Sequence, residues 1–386
     1  MVRQPASGAT AYFIQAFRGI NVPSDSELRI AVLPGDGIGI EVMNACLKVL
    51  DALATKLGHT RFVWNRLPGG AITYRETGTA LSDEAMKQIG HADAILFGAM
   101  GLPDIRYPDG TEIAPQLDIR IEYELYAGVR PIRTLPGITG PLRDPRSAQI
   151  DLVILREQTE GLYHSRGRGL MQDADTALDT LRITRSGCER VFDYAFRLAA
   201  QRRERGRPGN VTCVDKAGVL KSYAFMRRVF EERSGHFSGF KSDCANIDAT
   251  ALNLLLKPWD FDVIVTENMF GDILSDLGAG LIGGMGFAPS GDIGNHHGLF
   301  QPCHGTAPDI AGTGRANPTA MFLSAAMMLD WLGDQHGIKR LSEAAKILED
   351  TVRNAFASGS LRPFECGGND GTAAITRAIL SELARD

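Results

Sequence analysis

Asp272 and Asp276 stand four residues apart in Val263-Ile-Val-Thr-Glu-Asn-Met-Phe-Gly-Asp-Ile-Leu-Ser-Asp276, where a β-rich apolar run breaks at Gly271 into a helical pattern. That spacing places both carboxylates on one helix face. Two anions so placed repel by roughly a few tenths of a kcal/mol in water and by more in a cleft, so a cation between them would be stabilising. Oxygen donors alone suit Mg2+ or Mn2+. A solvated helix start, where the helix dipole favours acids, would carry the same pair.

Strand-like and helix-like patterns alternate around this segment. Leu28 to Leu33 reads as a strand, followed by a glycine turn and a helix from about Ile40 to Leu57. Further strands are expected at Ala94 to Phe97, Leu152 to Leu155, Asn210 to Val214 and Phe261 to Thr266, with helices at Gly187 to Arg202, Lys221 to Arg233, Pro318 to Gly333 and Leu341 to Ala357. This is an α/β pattern, with sites expected at carboxyl ends of strands. The turn Pro34-Gly-Asp-Gly-Ile-Gly39 lies where a GxGxxG fingerprint would, yet Ile40 stands where the third glycine is needed, so that fingerprint fails. A turn that admits a ligand backbone and a purely structural turn remain equally open for Gly35, Gly37 and Gly39. The irregular stretches Gly101 to Pro115 and Arg166 to Asp179 exceed ordinary loop length, which marks them as functional segments or an oligomer-forming arm.

With 386 residues and 44% hydrophobic content, the chain can bury a large core and is expected to form two domains. No apolar run is long enough to span a bilayer. Residues 1–27 read as an N-terminal extension, with an organelle transit peptide as the other reading. Six scattered cysteines without a CxxC pair argue against a zinc site or disulfide framework and suit a reducing cytoplasm. A net charge of −5 gives no electrostatic reason for a nucleic-acid partner, and the basic run Arg197 to Arg207 reads as a solvated helix end.

Six segments in unbroken order together resemble the isocitrate/isopropylmalate dehydrogenase family of metal-dependent decarboxylating dehydrogenases. They are Leu33-Pro-Gly-Asp-Gly-Ile-Gly39, Arg156-Glu-Gln-Thr-Glu-Gly-Leu-Tyr163, Val214-Asp-Lys-Ala-Gly-Val-Leu220, Asn246-Ile-Asp248, Asn268 to Asp276 and His304-Gly-Thr-Ala-Pro-Asp-Ile-Ala-Gly312. The resemblance implies a two-domain isopropylmalate dehydrogenase-like α/β fold, not a Rossmann fold. Residues 28–125 plus 283–386 would form a cofactor-side domain, and 126–282 a second domain with the dimer arm and metal site. It also implies a homodimer acting on a small-molecule substrate, with the metal site shared across the interface and no membrane partner.

By the same match, Asp272 and Asp276 would hold Mg2+ or Mn2+ with Asp248 from the partner subunit. Arg120, Arg130 and Arg156 would bind substrate carboxylates, a task suited to guanidinium forks. Lys216 would take the proton from the C2 hydroxyl, and Tyr163 would protonate the enol after carbon dioxide leaves. His304, Gly305, Thr306, Ala307, Asp309 and Ile310 resemble the adenosine-binding loop, Asn317 aligns with an adenine contact and Ile38 with the nicotinamide side. A carboxylate at Asp309 can accept from a ribose 2′-hydroxyl and would repel a 2′-phosphate, which selects NAD. Asp309 could alternatively cap the following turn.

At the substrate-selecting positions the isopropylmalate enzymes carry an acid and two leucines, whereas this chain has Ile113, Gln116 and Leu117. The isocitrate pattern of serine and asparagine is replaced by Ala114 and Gln116. Glu160 before Gly161 is closer to the isocitrate and malate/tartrate branches. The expectation is therefore NAD-dependent oxidative decarboxylation of a D-malate- or tartrate-like acid, with 3-isopropylmalate or another substituted malate as the alternative, then isocitrate or homoisocitrate. In the loop Asp104 to Pro115, Arg106 is the candidate for an additional anionic group, against a surface hairpin around Pro108-Asp-Gly110. Gly218 stands where the family has an asparagine, which leaves a noncatalytic binding subunit as an alternative of a different class.

Overall fold

The computed structural model describes residues 27–58 and 61–385, so the expected N-terminal extension, apart from Glu27, lies outside the described residues. Twelve strands are described: β1 (Glu27–Gly35), β2 (Arg61–Arg66), β3 (Ala94–Ala99), β4 (Ala127–Arg133), β5 (Asp151–Glu157), β6 (Leu170–Met171), β7 (Ala177–Leu178), β8 (Val211–Asp215), β9 (Ser242–Asn246), β10 (Val263–Thr266), β11 (Pro289–Ile293) and β12 (Gly298–Pro302). Ten form one sheet in the order β2-β1-β3-β12-β11-β4-β5-β10-β8-β9. Every residue of β3, β8 and β10 is buried, as expected for parallel strands covered on both faces.

The order is that of two parallel flanks joined by an antiparallel centre. β2, β1, β3 and β12 run together, as do β5, β10, β8 and β9, while β11 is antiparallel to both β12 and β4, and β4 to β5. The flanks therefore run in opposite directions. β11 has only five residues, about 17 Å of extended chain, so the carboxyl ends of both flanks can line one cleft across it.

The helix Asn268–Leu281 begins three residues before the break expected at Gly271, because Glu267 caps it by accepting from the Met269 and Phe270 amides. Gly271 lies inside the helix and serves packing instead. A Cβ there would come within 2.6 Å of the Arg156 Cβ, so glycine lets the aspartate-bearing helix settle on the end of β5.

The segment 166–179 forms a two-stranded ribbon, β6 with β7, whose Leu170, Met171 and Leu178 are exposed. The loop 101–114 closes as a hairpin, with Arg106 bridged to Glu112 and the Tyr107 amide donating to Thr111. The basic run is not simply solvated. Arg202 pairs with Asp262 and Asp151, and Arg205 with Asp330, while Arg203 lies over the Phe240 ring; these contacts tie the helix end to its neighbours. No helix among the described residues is long and apolar enough to cross a membrane.

Candidate active site

A cleft of about 270 Å³ opens over the antiparallel centre of the sheet. Its walls bring together Arg120, Arg130, Arg156, Tyr163, Asp272, Asp276, Gln116, His304 and Gly305, residues drawn from more than 180 positions of sequence. Glu112, Ala114, Leu117, Gln301 and Cys303 complete much of the lining. Ile113 is fully buried and absent from it. Arg106 is also absent: its Nε donates to the Pro103 carbonyl at 3.2 Å on the exposed side of the hairpin, so Glu112 is the charged side chain that this loop gives to the cleft.

The three arginines are held differently. Arg156 spends Nε and Nη2 on Asn268 Oδ1 at 2.9 and 2.7 Å, and Nη1 on Asp272. Asn268 in turn donates to the Glu160 carbonyl, and the Glu160 carboxylate accepts from Thr184, which makes Glu160 part of the scaffold. Arg120 Nε donates to Asp292 Oδ2 at 2.9 Å, which leaves its terminal nitrogens for the cleft that it lines. Arg130 reaches Asp292 Oδ1 at 3.4 Å and the Cys303 sulfur at 3.4 Å. Asp292 is fully buried and also accepts from Gln158 and Gln301 at 3.0 Å each. Burial alone would raise this carboxyl, but the Arg120 and Arg130 guanidiniums and the hydrogen bonds hold it below the usual carboxylate range.

Asp272 and Asp276 sit one helical turn apart on the same wall. Tyr163 donates its hydroxyl to Asp272 Oδ2 at 2.6 Å beneath the Arg156 guanidinium, and burial, followed by Asp272, pushes the phenol pKa up. Partial burial and the neighbouring Asp272 push the Asp276 carboxyl up as well. Two hard oxygen donors that resist carrying adjacent charges fit a divalent cation.

Lys216 and Asp248 do not line this cleft within the chain. They pair with each other at 2.7 Å at the carboxyl ends of β8 and β9, which are hydrogen-bonded neighbours. That pair lowers the Asp248 pKa, and it separates Lys216 from the arginines with which the motifs group it. Exposed apolar side chains follow in the same segments: Val219 and Leu220 after Lys216, and Leu252, Leu255 and Leu256 on the helix Ile247–Leu256 that carries Asp248, with Ile273 exposed next to Asp272 in sequence. At Gly218 a Cβ would meet nothing within 4 Å.

The loop expected to hold a dinucleotide lies against the glycine turn. Ile38 N donates to the Thr306 carbonyl at 2.9 Å, and a Cβ on Gly37 would collide with that same oxygen at 2.1 Å. His304 lines the cleft with Nε2 buried and unpartnered, and burial lowers its pKa, so the ring is neutral near pH 7. A buried polar atom without a partner on a residue of the cleft wall, beside an open Gly305, fits a bound ligand with hydrogen-bonding groups. Asp309 is exposed, Ile310 half-buried, and Ala307 holds a positive φ of 36°. The Asn317 side chain is engaged within the chain: Nδ2 donates to Glu365 at 2.5 Å and Oδ1 accepts from Thr319, which organises the start of the helix Thr319–His336.

Neither motif nor spacing marks Asp292, Gln301 or Glu112 as site residues, and Asp36 lies in the Leu33 to Gly39 motif with no role assigned to it. Asp36 is fully buried and accepts from the amides of Ala71, Ile72 and Gly101, which ties the glycine turn to the cleft rim.

Residues 29–379 match the family model described as isocitrate/isopropylmalate dehydrogenase. The 3-isopropylmalate/3-methylmalate dehydrogenase of Methanocaldococcus jannaschii is 38% identical over 93% of this chain and 99% of its own length. The probable tartrate dehydrogenase/decarboxylase of Bacillus subtilis is 36% identical over 93% of this chain and 99% of its own. Among solved structures, the isocitrate dehydrogenase of Methylococcus capsulatus superposes with a TM-score of 0.81 at 33% identity, covering 92% of this chain and 99% of that one.

Proposed function

The chain belongs to the isocitrate/isopropylmalate dehydrogenase family, and on that premise we propose that it is an NAD-dependent decarboxylating dehydrogenase of a malate-type 2-hydroxy acid, with D-malate- or tartrate-like substrates favoured. The observation that carries this substrate choice is Gln116, which lines a cleft that also receives Glu112 and whose Oε1 is buried with no partner. An unpartnered amide oxygen costs about 1–3 kcal/mol, a cost removed by a substrate hydroxyl and not by an alkyl branch. A 3-alkylmalate is the second reading, favoured by Leu117 and Ala114 in the same wall and by relatives named for isopropylmalate.

In this reading the free fork of Arg120 grips a substrate carboxylate, and Arg130 and Arg156 complete the anion site. Lys216 removes the proton of the C2 hydroxyl, and Tyr163, kept protonated by its environment, delivers a proton to the enol carbon after carbon dioxide departs. Bound Mg2+ or Mn2+, held by Asp272, Asp276 and the Asp248 of a second subunit, would polarise the C2 oxygen, and NAD would accept hydride. NAD would lie along Ile38, His304 to Ala307, Asp309, Ile310 and Asn317. We take residues 28–125 with 283–386 as one wall of the cleft and 126–282 as the other. The exposed apolar faces around Lys216 and Asp248, together with the β6-β7 ribbon, would be buried in a homodimer that carries Lys216 and Asp248 to the neighbouring cleft.

The test is NAD reduction at 340 nm with Mn2+ across D-malate, tartrate, 3-isopropylmalate, isocitrate and homoisocitrate, with NADP and chelator series. Metal-dependent turnover of D-malate or tartrate is expected. Turnover of 3-isopropylmalate alone would establish the second reading, and binding without turnover of any acid would favour a noncatalytic subunit.

A further inference from the structure

Outside the cleft, two cysteines meet across the last two strands of the sheet. Cys213 on β8 and Cys244 on the edge strand β9 are direct register partners, and their sulfurs lie within 4.8 Å of each other and of an Asp215 carboxylate oxygen. Both are free thiols. Side chains alternate along strands, so Cys213 shares its face with Asp215, the face met by Arg227 of the helix Lys221–Ser234.

A three-ligand metal site is disfavoured here. Asp215 is fully buried and already accepts from Arg227 Nη2 and Nε at 2.7 and 2.8 Å and from the Ala217 amide at 2.8 Å, so an incoming cation would compete with a guanidinium. What remains is a dithiol beside a fixed positive charge. Cys244 is half-buried on the outermost strand and Cys213 is fully buried, an arrangement of one accessible and one resolving thiol. A hydrogen bond from Cys213, then the Arg227 charge, hold the Cys244 thiol pKa below its ordinary value.

We propose that Cys213 and Cys244 form a thiol–disulfide exchange site that takes low-molecular-weight disulfides and staples β8 to β9 beneath the Lys216–Asp248 pair. In the first step the Cys244 thiolate attacks the S–S bond of the small disulfide, one small thiolate leaves, and a mixed disulfide forms. Cys213 then attacks the Cys244 sulfur, its proton passing to the second departing thiolate. Two protein thiols are oxidised to one disulfide and one small disulfide is reduced to two thiols. Neighbouring strands are about 4.8 Å apart, within the Cα range a disulfide tolerates, although Cβ atoms in this register must move closer for the bond to close. That movement falls three residues before Lys216 and four before Asp248, at the carboxyl ends of the same strands. Its effect on turnover rests on the catalytic reading above, whereas the thiol chemistry does not.

The full chain is incubated with oxidised glutathione, alkylated, and mapped by tryptic mass spectrometry. The expected result is loss of two of the six thiols and a disulfide joining the peptide that ends at Lys216 to the one that begins at Ser242. Cys213→Ser should trap glutathione on Cys244, and Cys244→Ser should leave position 213 unreacted. No thiol loss, a mixed disulfide persisting on Cys244 of the unaltered chain, or pairing of either cysteine with Cys303 or Cys366 would overturn the site. Should Cys213→Ser not fold, the map of the unaltered chain still decides. Turnover should fall in the disulfide form and return with dithiothreitol; an unchanged rate overturns the coupling to Lys216. If neither form turns over any acid, the catalytic reading fails while the thiol map stands.

Discussion

Arg120 Nε donates to Asp292 Oδ2 at 2.9 Å, an ion pair 172 positions apart in sequence and buried on both sides. Asp292 thereby aims the remaining fork of Arg120 into the cleft and separates it from Arg130. Removing the carboxylate leaves two buried cations facing one another. Asp292→Asn is expected to lower stability by about 3–5 kcal/mol in urea unfolding and to raise KM for the acid more than it changes kcat.

The same carboxylate sets a pH dependence. Its folded pKa lies below the unfolded value of about 4, so its contribution is complete above that value and is lost as pH falls through the folded pKa. Urea midpoints should therefore drop in acid below about pH 4, and less steeply in Asp292→Asn.

Asp276 behaves oppositely. Its carboxyl is raised by partial burial and by Asp272, so without a cation the charged form works against the fold. Asp276→Asn should raise the Tm of the metal-free chain by about 1–3 °C while abolishing the Mn2+-dependent rise in Tm.

Gln116→Leu exchanges an amide with an unpartnered oxygen for an apolar wall beside Leu117. The ratio of kcat/KM for 3-isopropylmalate to that for tartrate should rise about 10- to 200-fold, read from initial rates.

The Lys216–Asp248 pair lies apart from Tyr163 within one chain, so a shared site predicts subunit complementation. Inactive Lys216→Ala and Tyr163→Phe chains, unfolded together and refolded as a mixture, should recover about a quarter of full activity, because half the random dimers carry one intact site. No recovery would place both residues in the same subunit's site.

Gly218→Asn should be neutral in stability within about 0.5 kcal/mol, since nothing lies within 4 Å of the added Cβ. A rise in kcat/KM is expected from an amide that orients the reacting groups.

The local patterns are legible in the order of residues alone. Apolar runs locate β1, β3, β5, β8 and β10, and a four-residue spacing sets Asp272 and Asp276 on one helix face. Fully buried parallel strands and amphipathic helices announce themselves because their patterning is a property of consecutive residues. The strands β2, β4, β9, β11 and β12 of the main sheet escape this reading, and with them Asp292 and Gln301, because short runs with mixed polarity carry little periodic signal.

Motif order marks the arginines, Tyr163, Lys216 and the aspartates, yet it does not say which of them meet. That depends on β11 being inserted between β12 and β4, a neighbour relation fixed by packing of distant segments. The sequence by itself determined the α/β class, the family and the chemical types at the site. Only the tertiary structure decided that Asp292 holds two of the arginines, that Glu112 rather than Arg106 enters the cleft, and that Lys216 stands with Asp248 away from it. Hydrogen bonds and ion pairs act over about 3 Å, and chain neighbours cannot report distances that only the closed sheet creates.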